Sequence, residues 1–134
     1  MKKVGSITLT LAILFAVCVS ASAATSTPIL PLWDNTKSID STLTLNGTNS
    51  IAESEIIGNT DTAKIEATLT VYRLMGDGWL YINQTEQTVY SNYLNIAVRF
   101  TALGGSTYKS ILVVNVTNSA GVTESIQRAR YALS

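Results

Sequence analysis

Apolar residues fall along this chain in two patterns, one nearly continuous and one alternating. The continuous run covers residues 7–19. It carries no charge, follows Lys2 and Lys3, and gives way to Ser20-Ala21-Ser22-Ala23. A basic start, a short apolar stretch and a small-x-small site are the order of a cleavable signal peptide over residues 1–23. The stretch is shorter than the roughly 20 apolar residues that a membrane-spanning helix needs, so a permanent anchor is not expected. Residues 24–38 hold both prolines, Pro28 and Pro31, and show no period. They predict an extended tether, with the Trp33 indole plugging one end of the domain that follows.

From residue 39 onward the period is two, the mark of half-buried strands. Leu43 and Leu45 oppose Thr42 and Thr44, and Asn46-Gly47 supplies a turn. Over residues 50–57, Glu53 and Glu55 share a parity and face water, which sends Ala52, Ser54 and Ile56 inward. Residues 64–74 alternate with Ile65, Ala67, Leu69 and Val71 inward, and Met75-Gly76-Asp77-Gly78 is a tight turn. Residues 79–89 follow, less regular than their neighbours. Leu94, Ile96, Val98 and Phe100 then alternate with Asn95, Ala97, Arg99 and Thr101. Leu103-Gly104-Gly105 leads into a strand over 107–117, and Asn118-Ser119-Ala120-Gly121 into a last one over 122–132. About seven short strands without a helical period or a longer repeat predict an all-β fold, a single immunoglobulin-like antiparallel β-sandwich over residues 39–134.

Several short runs carry a likeness beyond the period. Residues 52–56 followed by Gly58, the strand ending Val71-Tyr72-Arg73, the glycine turn before Trp79, Gly105-x-x-Tyr108-Lys109 and Gly121-x-x-Glu124-Ser125 together span most of residues 52–125. In these runs the chain resembles a group of small secreted immunoglobulin or fibronectin type III-like β-sandwich proteins of Gram-positive bacteria. The resemblance implies the fold and a bacterial extracellular setting, and it assigns no activity. Tyr108, entering a late strand after a Gly-Gly turn, lies where such sandwiches place a tyrosine whose hydroxyl bonds to nearby backbone. Paired cysteines of the antibody branch are missing, so nothing of antigen-type recognition carries over.

Composition narrows the chemistry. The chain has no histidine, which removes the commonest general base and zinc ligand together. Its one cysteine, Cys18, lies in the apolar run after Val17, where a lipidated cysteine would need a small residue. Cleavage after Ala23 leaves 111 residues without a thiol, so a hydrophobic core alone must hold the fold. Loss of Lys2 and Lys3 leaves seven basic against nine acidic residues, a formal charge of −2 with no basic block, which argues against nucleic acid as a partner. Lys37, Lys64 and Lys109 fall at expected strand or loop surfaces, poor places for a catalytic base. Glu53 and Glu55 look outward from one strand rather than across a cleft, unlike a glycosidase pair. Asn59, Asp61 and Asp77 are turn formers that complete no calcium ligand series. The triplets starting at Asn46, Asn83 and Asn115 fit the N-glycosylation pattern, a frequent coincidence in a threonine-rich chain.

The expectation is therefore a secreted, non-catalytic extracellular binding or structural module. It needs no cofactor or metal, stays off the membrane once the signal is cleaved, and has an unidentified protein or glycan as partner, with self-association open. Two surfaces are candidates for binding. Trp33, Tyr72, Trp79, Tyr81, Tyr90 and Tyr93 would serve a carbohydrate-binding sandwich, the alternative function. In the strand over 107–117, inward Tyr108, Ser110, Leu112, Val114 and Val116 force Ile111 and Val113 outward. If that strand pairs with 64–74, Tyr72 comes near Ile111, giving an apolar patch of Tyr72, Ile111 and Val113. Either a partner or the segment 28–33 would cover it.

Overall fold

The structure is a computed structural model that describes residues 33–134. Cleavage after Ala23 and the segment before Trp33 lie outside the described residues. Seven strands follow one another: β1 (Thr36–Thr44), β2 (Ser50–Gly58), β3 (Thr62–Met75), β4 (Gly78–Val89), β5 (Tyr93–Phe100), β6 (Thr107–Asn118) and β7 (Thr123–Leu133). Among the described residues the remaining regular element is one 3-10 turn, Gly47–Asn49, between β1 and β2. The strands form two sheets, of order β1-β2-β5 and β4-β3-β6-β7, and every pairing is antiparallel. The fold is an all-β, seven-stranded antiparallel sandwich.

Alternation places the core. Each sheet buries one face against the other, so every second side chain enters the space between them. Ala52 and Ile56 of β2 and Leu94, Ile96, Val98 and Phe100 of β5 meet Ile65, Ala67, Leu69 and Val71 of β3 and Tyr108, Leu112, Val114 and Val116 of β6. These are the parities expected from sequence. Among the polar side chains of inward parity, Ser41 and Ser54 hydrogen-bond each other across β1 and β2 at 2.9 Å, and the Ser50 hydroxyl donates to the Gly47 carbonyl at 2.8 Å. The Tyr108 hydroxyl accepts a hydrogen bond from the Leu103 N–H at 2.7 Å, as the likeness to immunoglobulin-type sandwiches implies.

The strand series starts earlier than the sequence suggests. β1 begins at Thr36 rather than Ile39, so residues 36–38 belong to the sheet and not to the tether. The cause lies about ninety residues away. The Glu124 carboxylate of β7 accepts hydrogen bonds from the Asp34 N–H at 2.8 Å, the Asn35 N–H at 3.2 Å and the Thr36 hydroxyl at 2.8 Å. Asn35, buried, donates through Nδ2 to the carbonyls of Val116 and Val122. Trp33 does not fill the end of the core; its half-buried ring lies 4.8 Å from the Arg128 guanidinium carbon on edge strand β7.

The β3–β4 hairpin needs a two-residue loop, since Met75 pairs with Gly78. Gly76 takes φ +58° at the first loop position, where a primed turn requires a conformation that a side chain disfavours.

Candidate functional site

The outer face of the four-stranded sheet begins as a regular array. Opposite Thr68 of β3 stand Glu86 of β4 and Val113 of β6, with Gln127 of β7 beyond. The next row is Gln84, Thr70, Ile111 and Ala129. Thr70 donates to Gln84 Oε1 at 3.0 Å and is buried on this outer side by its neighbours.

Beyond that row β4 changes parity. Val71 pairs with Asn83 but Tyr72 pairs with Tyr81, so Ile82 is an extra residue, a β-bulge. Strict alternation would have carried Tyr81 and Trp79 inward with Asn83 and Thr85. The bulge instead sends Ile82 against the core and turns Tyr81 and Trp79 outward. Asn83 ties the bulge to the other sheet, donating to the Arg99 carbonyl of β5 at 3.1 Å.

An aromatic row across all four strands results: Tyr81, Tyr72, Lys109 and Tyr131, in register. Nearer the hairpin turn, Trp79 pairs with Leu74, and Leu133 pairs with Thr107. Tyr72 and Tyr81 meet edge to face, their centroids 6.4 Å apart at 81°. Trp79 and Tyr131 lie 6.1 Å apart at 57°. Between them the Lys109 ammonium nitrogen sits 4.2 Å from the Trp79 ring centre and 5.3 Å from that of Tyr72, within the range of cation–π attraction. The rings are open to solvent, with Trp79 36%, Tyr81 55% and Tyr131 65% exposed.

Among the described residues the polar edges of these rings have no hydrogen-bond partner. The hydroxyls of Tyr93 and Tyr108 bond to described residues; those of Tyr72, Tyr81 and Tyr131, and the Trp79 indole N–H, do not. The one ion pair among the described residues is Lys64–Glu66 at 3.3 Å, so Lys109 meets no carboxylate there. The arrangement offers apolar rings, donors around them that no described residue engages, and one positive charge in the middle.

The expected patch of Tyr72, Ile111 and Val113 does share this outer face, but its members are not equivalent. Tyr72 stands opposite Lys109, one row from Ile111, so the two are diagonal neighbours. Ile111 is half-buried, and Val113, 42% exposed, lies among Thr68, Glu86 and Gln127. Trp33 does not cover them. Its partner Arg128 stands opposite inward-facing Leu112, on the other side of the sheet. Tyr90 and Tyr93 are exposed near the β4–β5 turn, away from the cluster. Lys109 and Tyr131 enter the site unforeseen. Lys109 reads in sequence as an ordinary surface lysine, and Tyr131 is visible only as the aromatic member of the outward set Gln127, Ala129, Tyr131. The irregular alternation of 79–89 is the sequence signal of the bulge.

The opposite sheet is polar. Asp40, Glu53 and Glu55 line a shallow depression with Thr42 and Asn95, the solvated face expected from parity. Among the described residues, no three of His, Cys, Asp and Glu come together as a metal site.

No protein-family model matches the chain, and no curated protein matches it. Similar shapes occur among solved structures. Trypsin-activated α2-macroglobulin from Escherichia coli matches 74% of this chain with 9% of its own, at 7% identity and a TM-score of 0.49. The sporulation control protein Spo0M from Bacillus subtilis matches 76% with 51% of its own, at 12% identity and a TM-score of 0.37. CsgH from R. palustris matches 68% with 87% of its own, at 12% identity and a TM-score of 0.41. The chain thus spans about a tenth and about half of the first two proteins, and at these values none of the likenesses bears on function.

Proposed function

We propose that this chain is a secreted, non-catalytic extracellular binding module whose working surface is the outer face of the β4-β3-β6-β7 sheet at its hairpin-turn end. One observation carries the reading: a bulge in β4 turns Trp79 and Tyr81 away from the core and into a solvent-open cluster with Tyr72, Lys109 and Tyr131. Exposing large aromatic rings forgoes the stabilisation that burial would give them, and a contiguous exposed patch of this kind marks an interaction surface. Aromatic side chains are also enriched where proteins bind partners, because they bring large area at low entropic cost.

Supporting observations agree. The sheet orders correspond to strands A-B-E and C′-C-F-G of an immunoglobulin-like sandwich, and the buried Tyr108 makes the matching corner bond. Such sandwiches are scaffolds on which sites are added at faces and loops. The basic, apolar and small-residue order of 1–23 supports export.

The test is fractionation of the full chain expressed in a secreting bacterial host. Wild-type protein is expected outside the cell, starting at Ala24 by intact mass and held in part in a sedimenting complex or on the envelope. Trp79→Ser with Tyr131→Ser is expected to release it to the free fraction while its melting temperature stays unchanged. Identical partitioning of the two forms, both properly folded, would dismiss the outer face as the working surface.

A further inference from the structure

We infer that the Trp79–Lys109–Tyr131 cluster is a subsite for an anionic sugar residue, and that the partner is an acidic polysaccharide; this rests on the outer face being the working surface. Aromatic rings arranged around a cation form the kind of cage that binds a quaternary ammonium ligand, but here the cage already holds the chain's own ammonium. A cationic ligand is thereby excluded. The charge that remains available is positive, without a carboxylate partner among the described residues, and it sits in a partly desolvated setting where a charge-assisted hydrogen bond is strong.

The surroundings select the rest of the ligand. Trp79, with Lys109 over one face of its ring, and Tyr131 are 36% and 65% exposed, and their N–H and O–H edges have no hydrogen-bond partner among the described residues, so the pair combines apolar ring surface with a polar rim. A pyranose has the same division, with C–H groups on its faces and hydroxyls around its edge. The ring planes meet at 57° and 81°, so they form a bent surface that suits a single sugar residue and not the flat ribbon of a crystalline glucan.

An extended acidic peptide fits less well. Peptides add to sheets through free backbone groups at an edge. Lys109, the charge at the centre of the cluster, stands on β6, which is paired on both sides; Trp79 and Tyr131 stand on the edge strands β4 and β7, but their rings lie over the outer face of the sheet around Lys109, so the charge is reached across that face and not from an edge.

The experiment uses the purified full chain carrying Trp33→Phe, so that fluorescence reports Trp79 alone. It is titrated with polygalacturonate, hyaluronan, alginate and heparin, and with polygalacturonate whose carboxyl groups have been reduced to alcohols. Saturable quenching or shift is expected with at least one acidic polymer, weakening as salt rises. The reduced polymer and Lys109→Gln should each bind about tenfold more weakly or worse, and Lys109→Arg should stay within about threefold of wild type. Melting curves establish that each variant is folded. Equal binding of acidic and reduced polymer, or unchanged affinity in folded Lys109→Gln, overturns the anionic subsite. No binding to any of the four acidic polymers overturns the inference as a whole. If Trp79→Ser with Tyr131→Ser still alters partitioning in that last case, the outer face survives as a protein-binding surface; if it does not, both readings fall.

Discussion

Two tyrosines show how one residue type serves opposite ends. Tyr108 is 1% exposed, packs on Phe100 at 5.4 Å between ring centres, and accepts the Leu103 N–H through its hydroxyl. Tyr131 is 65% exposed and its hydroxyl meets no described residue. Tyr108→Phe keeps the ring but leaves a part-buried N–H unpaired, which should cost about 1–3 kcal/mol in urea unfolding, whereas Tyr131→Phe should leave stability within about 0.5 kcal/mol of wild type. Equal midpoints for Tyr108→Phe and wild type would mean that the corner bond contributes nothing. The Tyr108 role was legible because a Gly-Gly turn, a strand start and an inward parity are all local facts. That of Tyr131 was not, since an outward tyrosine on a last strand acquires meaning only from its neighbour across the sheet.

At the scale of the strand, parity governs what the outer face shows. Seven strands and their turns follow the sequence closely, because a side-chain period of two and glycines at turn positions are written residue by residue. The bulge is different. Irregularity over 79–89 signals that alternation fails, but the point of failure depends on how β4 registers against β3, and that register is set by the whole hairpin. The same face supplies a test on β6. Ile111→Thr with Val113→Thr retains β-branched side chains at one half-buried and one exposed position, so the loss in stability should stay near about 1 kcal/mol by denaturant melting. A loss of several kcal/mol would mean that chain beyond the described residues covers this face. Trp33, packed on Arg128 on the other side of the sheet, does not.

For the whole molecule, stability has few sources. The single cysteine, Cys18, leaves no disulfide to form within the chain, and the described residues hold no metal cluster. The core between the sheets must offset the entropy of ordering the strands. Leu69→Ala, at a position 1% exposed, should cost about 2–5 kcal/mol, and neither reductant nor chelator should move the melting temperature of wild type. A chelator-induced drop would reveal a metal contribution and make the core account incomplete.

The sequence by itself determined where seven strands lie to within a few residues, which face each side chain takes within β2, β3, β5 and β6, and where the chain turns. These follow from steric and hydrophobic rules that act over two to four residues. It also determined that histidine takes no part, since its absence is a matter of composition. The tertiary structure decided what stands beside what. Glu124 clasps Asp34, Asn35 and Thr36 across about ninety residues, which draws β1 three residues further towards the N-terminus than its own pattern indicates. Lys109 of β6 and Tyr131 of β7 meet Trp79 of β4 because pairing brings β3, β6 and β7 side by side and one extra residue in β4 reverses its faces. Strand order and register are properties of the packed pair of sheets, decided by which inner faces bury each other, and no local pattern along a single strand contains them.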